Sequence, residues 1–168
     1  MLKKVLYLIL AGVGSFFISF GIRITINDNK FVTAEWEQPP IVIICNDSSL
    51  TSYRISKAID WWEIREKYIF NYHFDRKNEI CRDGEPSKGF IVIKSSGKIP
   101  EDAYAVTTKY SNWGKMDSAV IIIPNKNNNM PRLLEHELGH ALGMAHIDAI
   151  GHMMNPVIEQ GGESFWIP

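Results

Sequence analysis

An eleven-residue stretch at 136–146, His-Glu-Leu-Gly-His-Ala-Leu-Gly-Met-Ala-His, constrains this chain more than any other feature. On a helix, the rings of His136 and His140 project from one face, because the two residues are four positions apart. Two imidazoles at this spacing can bind one metal ion. Glu137 lies one step round the helix, where its carboxylate can reach a water molecule on the metal without binding the metal itself.

The second half of the stretch predicts a turn and a third ligand. Gly143 can adopt positive φ at little cost, so the chain can leave the helix and turn sharply there. This turn would bring His146 back to the metal, and His152 is the other candidate for the third position. Three imidazoles leave the fourth position of a zinc ion open to water, which is the arrangement of catalytic zinc sites.

The residues around the stretch fit a helix that contains it. Asn129 is a candidate N-cap, and Pro131 falls in the first turn, where proline is tolerated. Apolar positions near helical spacing are supplied by Leu133, Leu134, Leu138 and Leu142.

This pattern resembles the extended zinc motif of the metzincin peptidases, HExxHxxGxxH, which is followed by a methionine turn. Met153-Met154-Asn155-Pro156 is similar to the turn of matrixin-like members, with Met154 as the turn methionine. The resemblance implies a Zn²⁺ cofactor, and it implies that Met154 forms an apolar floor beneath the ligands without binding the metal. The ligands implied are His136, His140 and His146. Because 12 residues follow Pro156, we expect a minimal form of the family, with little of its lower subdomain.

Short apolar runs separated by polar loops predict strands and helices whose order resembles the upper subdomain of metzincins, and this resemblance implies an α+β fold. We expect a twisted mixed sheet of four to five strands with two main helices, plus an N-terminal apolar helix. In the family, an antiparallel strand forms the upper rim of the cleft, where the substrate backbone pairs as an added strand. By position in the chain, we expect this rim at 118–123, in particular at Ser118, Ala119, Val120 and Ile121.

The N-terminus predicts a membrane anchor over residues 1–23. Val5 to Ile22 contains no charged residue and is flanked by Lys3-Lys4 and Arg23. It is near the lower limit for a membrane span, about 17 residues, and longer than the apolar region of a signal peptide, about 7–15 residues. We therefore expect a single-pass signal anchor with the catalytic domain outside the cytoplasm, and a cleaved signal with secretion is the alternative.

Three further observations bound the rest of the chain. Residues 24–38 are polar and are expected to be a linker to a catalytic domain at 39–168. Cys45 and Cys81 permit one disulfide in an oxidising compartment or two buried thiols, and the sequence leaves both open. The net charge of −1 gives no sign of a nucleic-acid partner.

These features together predict a zinc-dependent metalloendopeptidase that hydrolyses peptide or protein substrates through zinc-activated water, with Glu137 as general base. Two alternatives stay open. One is a membrane-tethered peptide-binding module on a metzincin scaffold with little or no catalysis. The other is a zinc hydrolase of non-peptide amides, because the chemistry of the metal does not itself select peptides.

Overall fold

The computed structural model describes residues 31–66, 70–75, 79–81 and 85–167 of the 168-residue chain. The apolar helix and anchor expected over residues 1–23 lie outside these described residues. None of the helices in the described part combines the length and hydrophobicity that a membrane span requires.

A five-stranded mixed sheet forms the centre of the molecule. Its strands are β1 (Ile41–Cys45), β2 (Asn71–Asp75), β3 (Phe90–Lys94), β4 (Val106–Asn112) and β5 (Lys115–Ile122). The spatial order is β2-β1-β3-β5-β4. The pairs β1–β2, β1–β3 and β3–β5 are parallel, and β4 is antiparallel to β5. The expected α+β fold with four to five strands is confirmed.

Two helices, α1 (Ser52–Glu66) and α2 (Leu133–Ala141), belong to the main core. Side chains alternate between the two faces of a strand, and those on the face toward the helices, such as Val42 and Ile44, belong to this core. The intervening residues Ile43 and Cys45 belong to a smaller cluster on the opposite side of the sheet. The sheet therefore has apolar residues on both faces, which explains the continuous β-branched runs in the sequence.

The position of β5 contradicts the expected cleft rim. Ser118, Ala119, Val120 and Ile121 are all buried, in a strand that pairs with β3 on one side and with β4 on the other. The strand at the edge next to β5 is β4, which precedes β5 in the chain and is polar along most of its length. An apolar strand fits the interior of the sheet, and a polar strand fits its edge, so the hairpin places β4 outermost.

Helix α2 begins later than expected. Arg132 occupies the N-cap position with φ 65° and makes no side-chain capping bond. The prediction that Asn129 caps this helix is wrong, because the chain first forms a short 3-10 turn at Asn125–Asn127. The Met130 N–H then donates to the Asn127 carbonyl, so Asn129 lies within a turn.

Residues 31–36 form a segment, called here the N-terminal strap, that packs onto the end of α2. Ala34 and Trp36 within it are buried. The described part of the expected linker at 24–38 is therefore an integral part of the domain. Its hydrogen bonds include Thr33 N–H to Gly143 O (2.8 Å), Ala145 N–H to Phe31 O (2.7 Å) and the Trp36 indole N–H to Ala141 O (2.9 Å).

A disulfide joins Cys45, at the end of β1, to Cys81. It resolves the alternative that the sequence left open, and it encloses a chain segment with a sequence separation of 36. The bond lies in the smaller apolar cluster, on the side of the sheet away from the two helices.

Candidate metal centre and cleft

Three histidine rings converge at the end of α2. The Nε2 atoms of His136 and His140 are 3.1 Å apart, and the Nε2 atom of His146 lies 3.3 Å and 3.1 Å from them respectively. Within the described part of the chain, this is the group of His, Cys, Asp or Glu side chains that could hold a metal ion. Of the two candidates for the third position, the structure places His146 there.

The donor set fits a zinc ion. Ring Nδ1 of His136 lies 2.8 Å from the Met153 carbonyl, and Nδ1 of His140 lies 2.9 Å from the Met144 carbonyl. Carbonyls only accept, so both Nδ1 atoms carry the proton and each Nε2 presents a lone pair to the other rings. Facing lone pairs do not hydrogen-bond to one another, whereas a cation between them satisfies all of them. Tetrahedral zinc with bonds of about 2.0–2.1 Å places ligand nitrogens about 3.3 Å apart, close to the observed spacing.

The environment keeps the three rings neutral, as metal binding requires. Burial lowers the pKa of His136 to about 4 and the pKa of His140 to about 3. Burial, and then the nearby Lys109 ammonium, lower the pKa of His146. Without any metal, the rings are therefore unprotonated at neutral pH and available as ligands.

Two glycines shape the centre. Gly143 has φ 100°, and a Cβ there would collide with the Ala34 carbonyl of the N-terminal strap. The N–H of Met144 donates to the Gly139 carbonyl, as in a glycine-terminated helix, and the chain then turns toward His146. Gly139 lies between the two helical histidines, and a Cβ there would collide with the sulfur of Met154. The turn methionine is fully buried against the helix at this point.

His152, the other candidate for the third ligand, lies outside the cluster of three rings. Its ring is fully buried, with Nδ1 2.9 Å from the Met154 N–H and Nε2 2.9 Å from the Trp166 carbonyl. Nδ1 therefore accepts and Nε2 donates. His152 thus ties the methionine turn to the C-terminal segment, and sequence reasoning gave no signal for this role.

Glu137 faces the cleft on the same helix. Burial raises the pKa of its carboxyl to about 7, although a hydrogen bond from Thr107 lowers it. The Thr107 hydroxyl lies 2.5 Å from Glu137 Oε2 and 3.2 Å from the Glu137 carbonyl. Thr107 lies on β4, so the edge strand contacts the candidate catalytic carboxylate directly. Sequence reasoning missed Thr107, because a threonine in a polar strand carries no distinguishing pattern.

An open cleft of about 690 Å³ contains the histidines and Glu137. One wall is β4 and the segment before it, including Tyr104, Thr107 and Lys109. The opposite wall follows the methionine turn, from Asn155 to Glu159. This volume is within the usual range for ligand sites, about 300–1,000 Å³.

The second wall is fixed by Arg132 at the start of α2. Its guanidinium donates to the Ile158 carbonyl at 2.8 Å and to the Gly161 carbonyl. The short chain after the turn is thereby connected to the zinc-motif helix, in addition to the His152 bonds.

The sequence model of the matrixin family matches residues 48–167, which include both helices, four of the five strands and the complete histidine cluster. The chain belongs to the matrixin family. Matrixins are zinc metallopeptidases, and the three histidines of this member can bind the metal ion.

Other comparisons add little beyond the family. No curated protein matches the chain significantly. Among solved structures, this matrixin is similar to metalloproteinase-II from Bacteroides fragilis, with 13% identity and a TM-score of 0.48. The similarity covers 77% of this chain and 50% of the other, so the chain spans about half the length of that protein.

Proposed function

We propose that this matrixin is a zinc-dependent endopeptidase that cleaves extended peptide segments in the cleft beside β4. One observation carries the proposal: three imidazole Nε2 atoms converge within 3.3 Å of one another in the same cleft as the buried Glu137 carboxylate. The ligands would be His136, His140 and His146. Zinc bound by three neutral nitrogens supplies a Lewis acid that acidifies water and polarises a carbonyl.

Glu137 would act as general acid and base. In the metal-free protein, burial raises the pKa of this carboxyl to about 7. A carboxylate in the cleft can accept a proton from water and return it to the leaving amine. Hydrolysis then balances: the water oxygen joins the carbonyl carbon, the C–N bond breaks, and the amine leaves with the proton carried by Glu137. The Thr107 hydroxyl holds one carboxylate oxygen, so the other can face the reacting water.

The edge strand favours a peptide over another amide as substrate. Within the described residues, β4 pairs with a strand on one side only, and it borders the cleft on the other. An extended peptide can add to such an edge through main-chain hydrogen bonds. This assigns to β4 the substrate contact that the sequence analysis expected of β5.

We also propose that residues 1–23 tether the enzyme to a membrane with the domain on the outer side. The support is the uncharged stretch of the sequence and the Cys45–Cys81 disulfide, since such bonds persist in oxidising compartments outside the cytoplasm. Mass spectrometry of the mature N-terminus tests it: an intact N-terminus in the membrane fraction is expected. A start near residue 24–30 would replace the anchor with secretion.

Incubation with a denatured protein mixture tests the peptidase activity. Full-length protein should produce new peptide N-termini, lose this activity with a zinc chelator, and regain it when zinc is restored. Cleavage that is indifferent to the chelator would contradict the proposal. Chelator-sensitive peptide binding without any cleavage would instead favour the binding-module alternative.

A further inference from the structure

Lys109 places a positive charge in the wall of the cleft. It lies on β4, two residues after Thr107, so both side chains project from the same face of the strand. Two residues of strand correspond to about 6.6 Å. Lys109 therefore enters the cleft about two residues along β4 from Thr107, the residue that contacts the Glu137 carboxylate.

The ammonium of Lys109 has neutral partners. Its Nζ lies 2.8 Å from the Thr33 hydroxyl and 3.4 Å from the Met144 carbonyl, and the second contact is long for a hydrogen bond. No carboxylate of the described chain lies within salt-bridge distance of it. An ammonium has three donors, so at least one remains for a group that enters the cleft.

The position of the Lys109 ammonium is unfavourable for the stability of the folded protein. Lys109 is half-buried and faces His140 and His146, where a bound dication adds further positive charge. A partly buried charge without a counter-ion reduces stability, and such arrangements cluster at binding sites, where an incoming ligand supplies the opposite charge. An anionic group in the cleft would compensate both the lysine and the metal.

The opposite end of the cleft has the reverse charge. Asp102 and Glu159 line it there, and the Tyr104 hydroxyl lies 3.4 Å from Glu159 Oε1. Both carboxylates are exposed, so their fields are largely screened. The half-buried Lys109 is therefore the charge with the stronger influence on a bound peptide.

We propose that Lys109 selects substrates that carry an aspartate or glutamate side chain about two residues from the scissile bond, on the Lys109 side of the cleft. The inference rests on the proposed peptidase function and adds a substrate class to it. A carboxylate at that point receives a charge-assisted hydrogen bond from Nζ while the peptide backbone lies along β4.

A purely structural role makes a different prediction. If Lys109 only ties the N-terminal strap to β4 through Thr33, its loss lowers stability or metal content and reduces turnover of every substrate by the same factor. A ratio between two substrates, measured on one enzyme preparation, cancels such losses and isolates the charge preference.

The test begins with cleavage sites mapped by mass spectrometry in a denatured protein mixture. A cleaved sequence is then synthesised with glutamate or glutamine at each position within three residues of the cut. For the full-length zinc enzyme, we expect kcat/KM to be about tenfold higher with glutamate at one position, on one side of the cut. Lys109→Arg should retain this ratio, and Lys109→Met should reduce it to about one.

Lys115→Met is the matched control. Lys115 is exposed at the start of β5, so its loss removes the same charge from the protein without changing the cleft. Its ratio should equal that of the wild-type enzyme. A wild-type ratio near one at every position, or a Lys109→Met enzyme with an unchanged ratio, would overturn the proposal.

Failure of this inference is distinguishable from failure of the proposed function. Chelator-sensitive cleavage of the glutamine peptides with no glutamate preference leaves the function intact and removes only the role of Lys109. Binding of the same peptide pair to zinc-loaded Glu137→Gln protein, measured by calorimetry, gives an independent reading without turnover. Tenfold tighter binding of the glutamate peptide supports the proposal, and equal affinities contradict it.

Discussion

Strands β4 and β5 form one hairpin, but β5 is buried between two neighbours, whereas β4 borders the cleft and, in the described part of the chain, pairs on one side only. Residues of β5 such as Ile121 belong to the main core. Residues of β4 such as Thr107 and Lys109 contact the groups around the metal centre. The more apolar strand of the hairpin thus stabilises the domain, and its polar partner contacts the candidate catalytic carboxylate. The predictions that follow test this division of roles.

The largest effect is expected on the helix side of the cleft. Glu137→Gln should lower kcat by about a thousandfold, because it removes the carboxylate that we propose as the proton carrier. Zinc content should equal that of the wild-type protein, since the three histidines are unchanged. A fluorogenic peptide assay together with metal analysis measures both. Retained turnover with zinc bound would remove the catalytic assignment of this residue.

A cavity in β5 should affect stability alone. Ile121→Ala removes a fully buried side chain and should lower the free energy of unfolding by about 2–5 kcal/mol. Urea unfolding measures the loss, and kcat per bound zinc should remain as in the wild-type enzyme. A selective fall in kcat would show that β5 shapes the cleft, and it would contradict the assignment of stability to β5 and of cleft contacts to β4.

Metal-free protein should show the cost of burying Glu137. Burial raises the pKa of this carboxyl from 4.5 to about 7, so between these values the folded protein binds more protons than the unfolded chain. The contribution of Glu137 to stability therefore falls as the pH rises through this window. The advantage of Glu137→Gln over wild type should grow from about 1 kcal/mol at pH 5 to about 3 kcal/mol at pH 8. Chelator-treated samples unfolded in urea test this, and a pH-independent difference would contradict it.

The smallest effect is expected from the edge strand itself. Thr107→Val removes the hydroxyl that contacts Glu137 and should lower kcat about tenfold with little change in KM. Thr107→Ser keeps the hydroxyl and should stay near the wild-type rate. Thr108→Val is the control, because the neighbouring Thr108 is exposed and projects from the other face of β4. Equal rates for all three variants would show that Glu137 does not need this contact.

The helix motif could be read from the sequence because it combines short spacings with distinctive residues. His136, Glu137 and His140 lie within one and a half turns of one helix, and Gly143 carries its own conformational signal. The helix fixes their relative positions, so the local sequence is sufficient to predict which side chains meet.

The remainder of the site depends on long-range contacts that no local pattern encodes. Thr107 lies 30 residues from Glu137, and Thr33 lies 76 residues from Lys109. The rim was assigned to β5 because the sequence shows how apolar a strand is but does not give its place in the sheet. The N-terminal strap was expected to be a linker, since its fit depends on the space beside Gly143.

The position of the N-terminal strap would limit the reach of an enzyme that is tethered through the proposed anchor at residues 1–23. Phe31 bonds to Ala145, the residue just before the third histidine, so the upstream chain departs beside the metal ligands. Seven residues, 24–30, separate it from the proposed anchor, and a chain of that length spans at most about 25 Å. A tethered enzyme of this design would act on targets at the membrane surface and leave distant ones uncut, so proximity to the bilayer would govern its choice of protein as much as the amino acids around the cut.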